Sequence, residues 1–383
     1  MKKLFYAGLA GLAAFEILKV YFIMPMPGSQ RMNSLDLAYF LHSWRWAFRI
    51  VLGAAALAGA RAAFQVTWRW RWLPLLLVLV AAGITWVFNF VMMADSMFKQ
   101  PQSLVLRSRA ENKVDEASVV VAVEHRGEAR AYPVRFLVYH HQVRDTVGGK
   151  AFLVTYCSVC RTGRVFEPVV NGQPEEFRLV GMDHFNAMFE DATTGSWWRQ
   201  ANGEAVAGPL KGATLPEVHA MQMTLKQWFD LHPGGTVMQP DEAFADDYDT
   251  KGRFERGESK GELTRTDPAS WQDKSWVVGV QIGVARKAYD WNQLKERRII
   301  NDRVGGTPIV LALAADGAGF AAFERPAGEE FSLQDDRLMS GGKSYDFTGR
   351  QLDGAGARLR PVSAYQEFWH SWRTFHPDTQ QYR

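Results

Sequence analysis

Cys157 and Cys160, in the stretch TYCSVCRTG, are the only cysteines in 383 residues. Two thiols three positions apart can share one metal ion, or form and break one disulfide. This spacing is biased towards such work, and a static structural pair is the plain alternative. Arg161 and Arg164 beside the thiols favour thiolate, which serves a metal ligand, a nucleophile and a redox cysteine equally. His140 precedes the cysteine strand, and consecutive strands usually pair, so its imidazole is expected beside Cys157. His184 and Met188, at i and i+4, share a face if their stretch is helical. Two thiolates with His140, and with His184 and Met188, make a soft donor set suited to copper(I) or zinc. The rival chemistry is a Cys157 nucleophile with His140 as its base, oriented by Asp145 or Asn186. The chain holds no phosphate-cradling glycine loop, no G-x-S-x-G and no H-E-x-x-H.

The elements that must position these residues are mostly strands. VVVAV at 119–123 and AFLVTY at 151–156 are β-branched or aromatic runs, with a turn signal at Val147-Gly148-Gly149. A helix is expected near 215–232, stopped by Pro233-Gly234-Gly235, with a counterpart at 363–376 stopped by Pro377. The spacing also predicts a duplication, because residues 119–240 and 276–383 share a series of motifs. Tyr132 and Tyr289, Asp145 and Asp302, and Phe166 and Phe323 are each separated by the same 157 positions. W-x-x-x-H-P recurs at Trp228–His232 and Trp372–His376. Cys157, Cys160 and His140 align with Ala314, Gly317 and Arg297, so the second copy lacks the candidate site.

The first hundred residues differ. Apolar runs at about 4–24, 47–66 and 73–94 are near the length that crosses a bilayer. Glu16 and Lys19 in the first can pair on one helix face, and Arg49 in the second is expected to snorkel. Lys2, Lys3, Arg61, Arg69 and Arg71 mark the cytoplasmic side, which leaves residues from 95 onward outside. Trp44, Trp46, Trp68, Trp70 and Trp72 crowd the expected interfaces. The net charge of +3 carries no Lys/Arg run or basic aromatic helix, so no nucleic-acid partner is expected.

The D-x-V-G-G turn, the T-Y-C-x-x-C strand end and the G-S-x-W-x-Q stretch together resemble a bacterial family catalogued as domain of unknown function 3179. Tyr139-His140, Asp145, Val147-Gly148-Gly149, Thr155-Tyr156-Cys157, Cys160, Phe166, Asn186, Gly195-Ser196, Trp198, Gln200, Gly203 and Gly208-Pro209-Leu210 follow its pattern in order. The resemblance covers about 115–240 and, more weakly, 276–383, and it implies an exported or membrane-tethered domain without an established reaction. His184 departs from the commoner family form.

The expected protein is α+β and β-rich, with two tandem related repeats behind a bundle of about three transmembrane helices. Its divisions are an anchor at 1–97, a first repeat at 98–240, a charged linker or insertion at 241–275 and a degenerate second repeat at 276–383. Sixteen charged residues in the linker argue against a core there. The expected place is the bacterial inner membrane with a periplasmic soluble domain. The expected partners are the lipid bilayer and envelope membrane proteins. The expected work is copper or zinc handling or thiol redox chemistry. A thiol-nucleophile enzyme acting on a small molecule or cell-wall compound, and a scaffold with a structural disulfide, are the alternatives.

Overall fold

The computed structural model describes residues 1–65, 67–249, 251–354 and 356–383. Val66 at the end of the second expected span, the ring of Trp68, and Thr250 in the expected linker lie outside the described residues. The chain is a mixed α+β protein with many strands and an N-terminal region of long apolar helices. It divides into two compact units. One comprises Met1–Lys99, Glu176–Arg199 and Glu204–Thr214, and the other Gln100–Glu175, Gln200–Gly203 and Leu215–Arg383.

In the first unit, three helices among the described residues are long and apolar enough to cross a membrane: Lys2–Tyr21 (α1), Arg45–Phe64 and Trp72–Val91. Helix α1 ends three residues before the expected boundary. Pro25 has no amide hydrogen to continue the ladder and disfavours a helical Met24. The helix at 45–64 follows a short one, Leu35–Ser43 (α2), and is α3; α4 is Trp72–Trp86, continued by a π turn at Val87–Val91. Helices α1 and α3 meet backbone to backbone. A Cβ on Gly8 would lie 2.6 Å from the Ala56 nitrogen, and one on Gly59 would lie 2.4 Å from the Phe5 nitrogen. Small residues at such a crossing let dispersion hold helices that lipid does not drive together.

Glu16 and Lys19 form the expected pair (3.2 Å), but Arg49 does not snorkel. Its guanidinium donates to both carboxylate oxygens of Glu16 (2.6 and 3.1 Å) and to Asn89 Oδ1 (2.6 Å). Asn89, in the π turn, donates to Glu16 in turn (2.8 Å). A carboxylate on the adjoining helix offers Arg49 a partner without leaving the bundle, and polar groups at this depth need internal partners. The cluster ties all three long helices together. Trp44, Trp46, Trp70 and Trp72 are exposed at or beside helix ends, where amphipathic rings suit an interface.

The same unit contains an antiparallel sheet of Phe177–Asp183, Asn186–Asp191, Trp197–Arg199 and Ala205–Ala207. It packs on the segment between α1 and α3. Met182 N donates to Ile23 O (2.7 Å) and the Tyr39 hydroxyl to Gly195 O (3.2 Å). Ile23, Ala38, Val180, Met188 and Trp197 share one core.

In the second unit, Val119–His125 pairs with Glu128–Pro133, and the chain continues through a helix at Val134–His140. A hairpin of Gln142–Val147 and Lys150–Cys157 follows, and then Thr162–Phe166. Gly148 and Gly149 both take positive φ (56° and 76°), which the two-residue hairpin turn requires. Met221–Thr224 returns to pair with Val119–His125, a helix spans Leu225–Leu231, and Thr236–Met238 runs parallel to Glu128–Pro133. The helix expected at 215–232 is confined to the second half of that stretch, Leu225–Leu231, because Thr224 caps Gln227 N and strand occupies Glu217–Val218 and Met221–Thr224 before it.

From Trp276 onward the same order of elements occurs with the same registers. Val121 faces Tyr132 as Val278 faces Tyr289, and Leu153 faces Phe166 as Val310 faces Phe323. Thr224 faces Val119 as Phe368 faces Trp276. The Tyr132 hydroxyl donates to Asp145 (2.6 Å) and that of Tyr289 to Asp302 (2.8 Å). The charged stretch 241–275 does contribute to a core. Phe244, Tyr248 and Phe254 are buried among the residues of the first block, while its charges stay largely at the surface.

Candidate functional site

Cys157 ends a strand and pairs in register with Thr162; Cys160 lies in the turn between. Both are fully buried thiols. The Lys150–Cys157 strand is apolar on both faces, which carries its end into the interior. Gln200, from the G-S-x-W-x-Q stretch, braces the turn: its amide donates to Thr155 Oγ1 and Thr162 O (both 3.1 Å).

The turn is closed by residues from far along the chain. Phe368 N donates to Cys160 O (2.8 Å). The Lys274 ammonium donates to Val159 O (3.0 Å), between the two cysteines, and to Leu263 O (2.6 Å). His370 Nε2 lies 3.1 Å from the same Val159 oxygen and 3.2 Å from Lys274 Nζ. The ammonium also sits 4.6 Å over the Phe368 ring. Arg161 reaches away from the turn and donates to Gln366 Oε1 (3.1 Å), Phe254 O and Glu255 O (both 2.7 Å), with its guanidinium 3.5 Å over Trp276. Arg164 donates to Glu367 (2.7 Å) and stacks 3.2 Å over Tyr365.

Burial sets the electrostatics. It holds the Lys274 ammonium below its ordinary value, against the pull of Cys160 and Cys157. It also pushes His370 down to about 4, and the neighbouring Lys274 charge adds to this. Arg161 is lowered to about 10 by burial. Burial raises the Glu367 carboxyl even with Arg164 beside it. The turn therefore offers two thiols, a fixed amine and an imidazole held neutral: a set for stabilising thiolate and moving a proton.

The sequence-predicted residues are distributed as follows. Cys157 and Cys160 lie on one turn. His140 ends its helix with Nε2 2.8 Å from the Tyr248 hydroxyl, caged by Tyr139 and Phe244. His184 and Met188 are not helical. They belong to a β-hairpin of the other compact unit, with His184 and Phe185 at positive φ in its turn. Local pairing with the preceding strand outweighs the weak helical spacing. His184 Nδ1 lies 2.6 Å from Asp183 and Nε2 lies 3.1 Å from Asn33; the Asp183 contact holds the imidazole above its ordinary value. Met188 is buried against Trp197 and Ile23 in its own unit's core. No group of three or more His, Cys, Asp or Glu side chains able to hold a metal ion occurs among the described residues.

Lys274 and His370 are not among the sequence-predicted residues. One signal existed. In the corresponding registers of the first block these positions are Ala117 and Lys226, so both are peculiar to the second block, as the cysteines are to the first.

No curated protein and no solved structure matches the chain. A family model described as protein of unknown function (DUF3179) matches residues 101–379, more than half of the chain and the whole of the thiol turn with the residues that close it. The chain belongs to that family.

Proposed function

We propose that this is a membrane-anchored protein of the bacterial envelope that performs dithiol–disulfide chemistry at Cys157 and Cys160. The observation that carries the reading is the Lys274 ammonium on the carbonyl between the two cysteines, with His370 against it. A fixed positive charge there supplies what a thiolate needs, and it stands where a metal cation would be repelled. In the forward step each thiol loses a proton and the pair loses two electrons as the S–S bond forms. A disulfide of an envelope partner protein takes both electrons and both protons and becomes a dithiol.

The anchor reading rests on three spans and on a packing argument independent of charge. The segment between α1 and α3 docks on strands that come after the third span, and the two crossings between them, an even number, return the chain to the same side. With Lys2, Lys3, Arg61, Arg69 and Arg71 on the other side, the soluble part is periplasmic and the membrane is the inner one. Matching registers support reading 276–383 as a second copy of 119–240, one that closes the first copy's site.

The test is redox titration of the purified full-length protein with thiol trapping and mass analysis, alongside elemental analysis. The reading expects a two-electron couple that vanishes in Cys157→Ser and Cys160→Ser, with equal copper and zinc content in wild type and variants. A stoichiometric metal lost on either substitution would overturn it in favour of metal handling.

A further inference from the structure

The place corresponding to the thiol turn in the second block is open. The registers that match Phe368 with Thr224 and Val310 with Leu153 put residues 314–319 where the first block has 157–162. The two blocks also meet reciprocally: Gln222 Nε2 donates to Gln366 Oε1 (3.0 Å), and these two glutamines face Val121 and Val278 in corresponding registers. The thiol turn is filled by Lys274 and His370. Their counterparts are Ala117, which has no side chain long enough to reach, and Lys226, which turns away to Asp230 (2.6 Å). The space so vacated is a cleft of about 590 Å³ that includes Ala117, Thr224, Lys226 and Asp316. A second recess of about 420 Å³ adjoins it and shares Trp276, Trp291 and Lys295. These volumes fall within the roughly 300–1,000 Å³ of small-ligand sites.

The lining selects against charge. Arg135 is held by Glu255 (3.0 Å), Glu116 by Arg109 (2.6 Å), and Asp316 accepts from the Thr224 hydroxyl (2.7 Å). Four acidic and four basic side chains line the larger cleft, so its formal charges balance and favour neither a cation nor an anion. It does present hydroxyl-binding groups on several sides, including Asn292 and Asp267. It also presents the half-buried indole of Trp276, which carries the Arg161 guanidinium over its ring (3.5 Å) and is locked by its Nε1 bond to Thr266 (2.9 Å) and by an edge contact with Trp291 (5.9 Å). A flat rigid ring among neutralised polar groups matches a molecule with an apolar face and a hydroxylated rim.

We infer that this cleft binds an uncharged oligosaccharide, with a sugar ring face on Trp276 and its hydroxyls on the surrounding carboxylates, amines and amides. The site is separate from the thiol turn and stands whether or not the redox reading does.

The test is saturation-transfer NMR and calorimetry on the full-length protein in a detergent without a sugar headgroup. The probes are neutral tetramers of glucose, N-acetylglucosamine and mannose, with tetragalacturonate as the anionic control. At least one neutral tetramer should bind, and Ala117→Lys, which restores the side chain that fills the thiol turn, should weaken it tenfold or more. Trp276→Ala should abolish binding; because it also removes the Arg161 stack, Ala117→Lys at an exposed position is the decisive variant. Binding of no neutral tetramer, preference for tetragalacturonate, or binding unchanged in a folded Ala117→Lys protein would each overturn the assignment.

Discussion

Lys274→Met removes the ammonium from the thiol turn while keeping an unbranched stem of similar length. Two carbonyls, Val159 O and Leu263 O, lose a charged donor. Bonds to charged groups contribute about 1.5–3 kcal/mol each, and the ammonium's own burial costs several kcal/mol, so the fold should weaken by only about 1–2 kcal/mol. The effect on the thiols is larger. The ammonium is coupled electrostatically to both thiols, and such a pair at an effective dielectric constant near 20 contributes on the order of 3 kcal/mol. At a fixed pH on the rising limb, that corresponds to a thiolate population lower by roughly a hundredfold. The assay is thiolate ultraviolet absorbance against pH, referenced to the Cys157→Ser/Cys160→Ser protein, because absorbance does not require a reagent to reach buried sulfur. Lys274→Arg should restore part of the signal. In the same variant the His370 imidazole should titrate above its value of about 4, since the adjoining charge adds to burial in holding it down. A folded Lys274→Met protein with wild-type thiolate and His370 titrations would refute the reasoning.

Arg161→Met leaves Phe254 O, Glu255 O and Gln366 Oε1 without their guanidinium donor in a buried place. A loss of about 3–5 kcal/mol in denaturant unfolding is expected, and Arg161→Lys should recover only part because it cannot reproduce the fork. Acid should destabilise the second unit. Burial holds His141 and His370 at about 4 and His376 at about 3. The unfolded chain therefore binds more protons below about 6.5, and stability should fall by up to about 1.4 kcal/mol per histidine per pH unit from there towards 4. Unfolding midpoints that do not move between pH 7 and pH 4.5 would contradict this. In the membrane cluster, Glu16→Leu strands both Lys19 and Arg49, whereas Arg49→Leu leaves Glu16 paired with Lys19. Yield and thermal stability in detergent should be worse for Glu16→Leu than for Arg49→Leu, and Arg49→Leu added to Glu16→Leu should recover only part, because Lys19 stays without its carboxylate. Alkaline phosphatase fused after residue 110 should be active; an inactive fusion with an active cytoplasmic reporter at the same point would sink the three-span topology.

Much of the local structure is legible because it depends on neighbours in sequence. The spans follow from apolar length to within three residues at each end, with Pro25 stopping α1 and a π turn closing the third span at Val91. The Gly148-Gly149 hairpin follows from turn chemistry. The helix expected at 215–232 failed over its first half, because local spacing alone could not reveal that Met221–Thr224 completes a ladder with Val119–His125. His184 and Met188 failed likewise: i and i+4 residues share a face in a helix, and only strand pairing reveals the hairpin.

The amino-acid sequence by itself determined that two thiols occupy one turn, since three positions of chain keep Cys157 and Cys160 together in any compact conformation. It also determined the family and the apolar helices. Tertiary structure alone decided what faces the thiols. Lys274 and His370 lie more than a hundred residues from Cys160 and reach the turn only because Phe368 N bonds Cys160 O and draws the later segment onto it. Tertiary structure likewise gave His140 a tyrosine hydroxyl, Arg49 a carboxylate on another helix, and the Ala117 position an open cleft. Contacts across such separations depend on which strands pair and which surfaces bury, and no local spacing records them.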